Sequence, residues 1–164
     1  SWLFLVDLGY SVDLGANVIS TEMFEWIRSN IKEGSTILEL GSGNGTIELT
    51  KWYNVYSIEQ NKKWVGVAEN ATYIYAPLKN GWYDTEVVFN NLPKNYSLLI
   101  IDGPTGINRN KIKEYWVKFN TNIPILIDDT HRGSELLFAQ MSANELNKEI
   151  ETIQGRQKNF SILR

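Results

Sequence analysis

The sequence predicts an α/β fold: a doubly wound, mostly parallel sheet with helices on both faces and an antiparallel hairpin at its C-terminal end. Three observations predict it. From Ser20 onward, β-rich runs alternate with segments of helical spacing. The most apolar run, "YSLLIID", reads as a central strand covered on both faces. The tail, "KEIETIQGRQKNFSILR", then breaks the alternation with two strand-like runs around Gly155, as an antiparallel hairpin does.

Taken in order, "STEMFEWIRSNIKEG" reads as a helix. Ser20 or Thr21 can cap it, Glu22 suits its first turn, Met23, Phe24, Ile27 and Ile31 share a face, and Gly34 stops it. "STILEL" is a short strand, followed by a glycine turn, and "TIELTKW" has helical character. "NVYSIE" is a second strand, "NKKWVGVAEN" a helix, and "TYIYA" a third strand ended by Pro77. An aromatic loop, "GWYD", leads to the "YSLLIID" strand. "NKIKEYWVKFN" returns to helical spacing, "IPILID" is a strand, and "RGSELLFAQMSANEL" is a helix.

Composition narrows the function classes. With 164 residues, 43% of them hydrophobic, the chain is expected to form one domain, residues 1–164. A net charge of −3 supplies no basic stripe for phosphate backbones, so nucleic acid is a poor first partner. The absence of cysteine removes disulfides, thiolate metal sites and a thiol nucleophile, and fits a cytoplasmic setting. No apolar run approaches the roughly 18 to 20 residues of a membrane span. "SWLFLVDLGYSV" carries an acid and no basic start, so it does not read as a signal peptide.

The chemistry concentrates at strand ends. In an open α/β sheet, ligands sit outside the carboxyl ends of the strands, near the point where strand order reverses. The first strand ends at Glu39-Leu40 and opens into Gly41-Ser42-Gly43-Asn44-Gly45, where glycines allow positive φ and close backbone approach. The spacing G-x-G-x-G departs from the dinucleotide pattern G-x-G-x-x-G. Glu59 ends the second strand, where a carboxylate in this topology accepts ribose hydroxyls. A structural turn and an exposed strand-end charge are the plainer readings of the same residues.

"LELGSGNGT", "YSIEQN", "LLIIDGP" and "ILIDD" together resemble, in order and approximate spacing, the class I S-adenosylmethionine-dependent methyltransferases, over nearly the whole chain from Ser20 onward. That resemblance implies a Rossmann-like, seven-stranded sheet with a reversed last strand, a core over 20–164, and an N-terminal segment, 1–19, on the substrate side. It implies that the loop of Gly41, Ser42, Gly43 and Gly45 faces the methionine part of S-adenosylmethionine, with Glu39 near its amino group. Glu59, with Gln60 beside it, would hold the ribose, Ala76 would approach the adenine, and Asp102 would contact the cofactor.

Three further acids end strands on the same edge: Asp102, Asp128 and Asp129. Neighbouring carboxylates repel, so gathering them requires a cation, shared protons or basic partners. Hard oxygen donors suit Mg²⁺ or Mn²⁺. The pattern is similar to the divalent-metal-dependent O-methyltransferases of the catechol and macrolide-sugar types, in which such acids bind the metal. Those enzymes place Lys or His three residues after the fourth-strand acid, where this chain has Thr105. His131, the only histidine, is the replacement base, or Asp102 is itself the base; a surface or cap role for His131, and helix capping by Asp129, stay open.

Arg109 and Arg132 flank this edge and could bind an anionic acceptor, or be ion-paired. Trp82 and Tyr83, with Trp2, Phe4 and Tyr10, could wall an acceptor pocket or simply pack in the core. "YIYAPLKNGWYD…DGPTG" resembles small bacterial methyltransferases associated with surface polysaccharides, including the capsular phosphoramidate pathway. The expected function is S-adenosylmethionine-dependent O-methylation of a polar small molecule, a sugar or phosphorylated precursor, with metal assistance. The alternatives are a nucleic-acid methyltransferase, disfavoured by Asp102-Gly103-Pro104-Thr105 in place of an Asn/Asp-Pro-Pro-Tyr/Phe motif, and a non-catalytic cofactor-binding partner subunit.

Overall fold

Backbone capping starts the first helix where the sequence reading puts it. The Ser20 hydroxyl accepts the Met23 N–H at 3.2 Å, opening α1 (Thr21–Asn30), whose Met23, Phe24 and Ile27 are buried. The helix ends four residues before Gly34 and is closed by the bond from Ile31 N–H to the Ile27 carbonyl; Gly34, at φ +86°, turns the chain into the sheet. The computed structural model describes residues 19–104 and 106–164. Trp2, Phe4, Tyr10 and Thr105, and with them nearly all of the N-terminal segment, lie outside the described residues.

Eight further elements stand where the sequence reading puts them: β1 (Thr36–Leu40), α2 (Asn44–Leu49), β2 (Asn54–Glu59), β3 (Thr72–Tyr75), β6 (Leu98–Ile101), β7 (Ile125–Asp128), α4 (Gly133–Glu145) and, in the tail hairpin, β9 (Asn159–Leu163). Between them stand β4 (Leu78–Lys79), β5 (Trp82–Tyr83), α3 (Thr85–Asn91), a 3-10 helical segment (Gly106–Lys118) and β8 (Ile150–Gln154). The seven-stranded sheet has the order β3-β2-β1-β6-β7-β9-β8. β1, β2, β3, β6 and β7 pair in parallel, and β9 runs antiparallel to both β7 and β8. The reversal of strand order falls between β1 and β6.

Period-two alternation splits the core between the two faces of the sheet. Leu38, Leu40, Leu99, Ile101, Ile125 and Ile127 pack against Trp82, Val88, Phe119 and Phe138 on one face. Ile37, Leu98, Ile100 and Leu126 meet Met23, Phe24 and Ile27 on the other. β6 is buried on both faces, so each of its side chains contributes roughly 1.5–3 kcal/mol of hydrophobic burial. Among the described residues, no helix is long and apolar enough to cross a membrane.

Three local expectations give way. "NKKWVGVAEN" forms turns instead of a helix, its N–H groups reaching back only three residues (Trp64 to Asn61, Val65 to Lys62, Val67 to Trp64), with Gly66 at φ +87° interrupting the helical conformation. The "GWYD" loop begins as a strand: Asn80 and Gly81, at φ 56° and 82°, make a two-residue turn joining β4 to β5. α3, capped by the Asp84 carboxylate on Glu86 N–H at 3.2 Å, has too short an apolar face to be read as a helix from sequence.

Gly41 has φ +93°, and a Cβ there would lie 2.9 Å from the Asp102 carbonyl oxygen; Gly66 shares the left-handed conformation but has open space around it. Gly41→Ala is therefore expected to cost about 2–4 kcal/mol in urea unfolding and Gly66→Ala about 1–2 kcal/mol. Equal losses would show that conformation alone, not loop contact, requires Gly41.

Candidate active site at the carboxyl edge of the sheet

β1 delivers Glu39 to the face shared with α2, and the turn that follows encloses it. The Thr46 hydroxyl, in the first turn of α2, donates to the Glu39 carboxylate in a short hydrogen bond and accepts the Gly43 N–H at 3.3 Å. Having spent its one proton on Glu39, Thr46 must accept from Ser42 Oγ at 3.0 Å, and Ser42 in turn from the Tyr73 hydroxyl at 3.0 Å. Tyr73 accepts the Ala68 N–H at 3.0 Å. The hydroxyl chain thus runs from β3 to Glu39 and orients the acid.

Glu59, at the end of β2, is buried and accepts two backbone N–H groups: Ser42 at 3.0 Å and Asn61 at 2.7 Å. Each oxygen keeps a lone pair for a further donor. Gln60 is the next residue, half-buried, and Ala76 is buried where its N–H meets the Glu59 carbonyl at 3.0 Å. Glu39, Ser42, Glu59, Gln60 and Ala76 thus share one end of the sheet. Gly41 and Gly45 owe their lack of a side chain to the protein's own packing: a Cβ at Gly45 would lie 2.9 Å from Ile19, as one at Gly41 would from Asp102. Gly43, at φ −168°, is in ordinary extended backbone.

Burial pushes the Glu39 pKa up to about 7, with nearby Glu59 adding to the rise and the Thr46 bond opposing it. Among the described residues, no Lys, Arg or His pairs with Glu39 or Glu59.

Across the switch point the other acids are compensated. Asp102 follows β6, Asp128 ends β7, and Asp129 comes next at φ +61°, a conformation uncommon for a residue other than glycine. One oxygen from each lies within 4.8 Å of the others. The Arg109 guanidinium, 5% exposed, reaches in from the 3-10 segment: its Nη2 is 3.3 Å from Asp102 Oδ1, 3.2 Å from Asp129 Oδ2 and 3.0 Å from the Asp102 carbonyl. Its Nη1 donates to the Asp128 carbonyl at 3.3 Å. Lys158, in the turn before β9, places Nζ 2.7 Å from Asp128 Oδ2 and 4.0 Å from Asp129 Oδ1. Partial burial and the Asp128 charge push Asp102 upward, against the pull of Arg109 and Lys158. Asp128 is also raised by burial, opposed by Lys158, whose own pKa the acids raise.

The remaining candidates separate. His131 is exposed, its Nδ1 accepting the Asn159 N–H at 3.4 Å. Asp129 does not cap α4, since the side chain points to Arg109. Arg132 is exposed, 3.9 Å from Asp129. Trp82 belongs to the core, stacked near Tyr115 at 4.9 Å and edge-on to Tyr83 at 5.2 Å. Tyr83 is also buried, but its hydroxyl has no hydrogen-bond partner among the described residues and faces Gly103, where a Cβ would lie 2.3 Å from it. Burial and the Glu59 and Asp102 charges keep that phenol protonated. Thr46, Tyr73 and Lys158 were missed by sequence reasoning. Only Thr46 carried a signal, a hydroxyl in the first turn of a helix after a glycine loop.

No family model matches the sequence, and no curated protein matches it. Solved structures do. An O-methyltransferase from Bacillus cereus in complex with SAH superposes with TM-score 0.69 at 16% identity, covering 99% of this chain and 89% of that one. The chain has the class I methyltransferase fold. The O-methyltransferase TomG from Streptomyces achromogenes, involved in tomaymycin synthesis and solved with SAM, gives TM-score 0.62 at 15% identity over 92% and 82% of the two chains. A precorrin-6y C5,15-methyltransferase from Geobacter metallireducens gives 0.63 at 13% over 90% and 89%. The similar structures carry different enzyme names, and the fold alone does not choose among their activities.

An acid whose pKa rises on folding favours the folded state below its unfolded value, and that contribution is lost as pH climbs through the folded value. For Glu39 the window runs from 4.5 to about 7, worth roughly 3 kcal/mol. The melting temperature of the ligand-free protein is expected to fall between pH 5 and pH 7.5, and Glu39→Gln to make that fall shallower. An identical pH profile in the variant would show that Glu39 ionises normally.

Proposed function

We propose that this chain is an S-adenosylmethionine-dependent methyltransferase acting on a hydroxyl of a polar small molecule. The observation that carries the reading is the pair of buried acids, Glu39 and Glu59, set beside the glycine turn with no cation among the described residues to balance them. A buried carboxylate without a counter-charge is costly unless a ligand brings one. An ammonium group fits Glu39, and two hydroxyl donors fit the lone pairs left on Glu59. The unpartnered Tyr83 hydroxyl is a third group suited to a polar ligand atom. That similar structures were solved with SAH or SAM supports the same ligand here.

S-adenosylmethionine, when bound, supplies an electrophilic methyl group. In this chain Glu39 would hold the amino group and Glu59 the ribose, with Gln60 and Ala76 beside the nucleoside and the Gly41–Gly45 turn facing the methionine part. Asp102, partly exposed between the two halves of the site, would accept the proton released by the acceptor hydroxyl. It fits that role better than His131, which is exposed and whose Nδ1 is engaged by Asn159. Arg109 is committed to Asp102 and Asp129, so recognition of a phosphorylated or otherwise anionic acceptor would fall to Arg132. A sugar or phosphorylated precursor of surface polysaccharide is the acceptor class we favour, on the resemblance of the segment through "NGWYD" and "DGPTG".

Calorimetry should show binding of S-adenosylhomocysteine by the folded protein; no binding would sink the reading. Affinity should tighten by up to about tenfold from pH 6 to pH 8 as Glu39 ionises. Glu39→Gln should weaken binding and remove that pH dependence.

A further inference from the structure

The acids at the ends of β6 and β7 have the donor chemistry of a divalent-cation site, yet the protein has already filled that role with its own side chains. Arg109 Nη2 stands between Asp102 Oδ1 and Asp129 Oδ2, at 3.3 and 3.2 Å, where an ion bridging the two carboxylates would have to be. Asp128 has both oxygens engaged, one by Lys158 Nζ at 2.7 Å and the other by the Asp129 N–H at 2.8 Å. A small hard cation such as Mg²⁺ binds carboxylate oxygens at about 2.0–2.1 Å in a near-octahedral shell kept largely by water. Fitting one here would bring it against a buried guanidinium that cannot lose its proton.

We infer that Arg109 and Lys158 take the place of a divalent cation in this site, so that the strand-end carboxylates are held and charge-balanced without metal. This rests on the carboxyl edge being the reaction centre. Arg109 is then a positioning residue: it grips Asp102 through carbonyl and carboxylate together and ties the end of β6 to the end of β7. Lys158 holds the Asp128 carboxylate, its Nζ 2.7 Å from Oδ2, from the turn before β9. The residues that distinguish this arrangement from a metal centre lie outside the acidic motifs themselves, on the 3-10 segment and the turn into β9.

The test is Mn²⁺ titration followed by electron paramagnetic resonance, on the wild-type chain with and without S-adenosylhomocysteine, and on Arg109→Met and Lys158→Met. The wild-type chain should bind no stoichiometric Mn²⁺ in either state. Removing one internal cation should expose the carboxylates and create a site, at least tenfold tighter than any wild-type binding. Lys158→Met serves if Arg109→Met fails to fold, and the wild-type titration decides if neither variant folds. Stoichiometric Mn²⁺ on the wild-type chain that is lost in Asp128→Asn would overturn the inference, as would folded variants that gain no ion. S-adenosylhomocysteine binding on the same samples separates the two readings: its absence would remove the cofactor assignment and leave the ion result standing.

Discussion

Gathering carboxylates at one edge of a parallel sheet is the constraint from which the rest of this site follows. Glu39, Glu59, Asp128 and Asp129 are buried and Asp102 is half-buried, all at or just beyond the ends of neighbouring strands. In a low-dielectric setting each must lose its charge, find a donor or find a cation. The protein uses all three answers, and it distributes them unevenly. At β6 and β7 the answer is two internal cations. At β1 and β2 it is hydroxyl and backbone donors, which orient the acids but leave their charge unbalanced.

That asymmetry gives the edge two different halves on either side of the strand-order reversal. The β1–β2 half is organised by the Tyr73–Ser42–Thr46–Glu39 chain and by the N–H groups on Glu59, so it is pre-shaped yet electrostatically incomplete. In the β6–β7 half the carboxylates are paired with Arg109 and Lys158. Between them the loops after β1 and β6 touch directly, Gly41 lying against the Asp102 carbonyl and Gly103 against the Tyr83 hydroxyl.

The glycines illustrate how a correct motif can have an incomplete reason. Their spacing reads as room for a ligand, but Gly41 and Gly45 are needed first so that the loop after β6 and Ile19 can approach the backbone. The requirement for space is real at both positions; its occupant is the protein itself. The aromatic pair Trp82–Tyr83 makes the same point, since Trp82 is committed to the core and only the Tyr83 hydroxyl end faces the site.

By itself the sequence determined the parallel core, because apolar runs such as Leu98–Ile101 and 125–127, alternating with segments of helical spacing, fit a sheet covered on both faces. It also determined which acids end the strands, since strand ends follow from the same runs, and the antiparallel tail hairpin about Gly155. It left the short elements undetermined: α3 and the β4–β5 hairpin are held by docking onto the face of the sheet, and the "NKKWVGVAEN" helix loses to a left-handed glycine. Tertiary structure alone decided the charge partners. Arg109 and Asp102 are near in sequence, but Lys158 meets Asp128 across thirty positions only because β9 returns antiparallel beside β7. Local periodicity carries no information about such a pairing, and it is the pairing that sets which acids are balanced by a cation among the described residues.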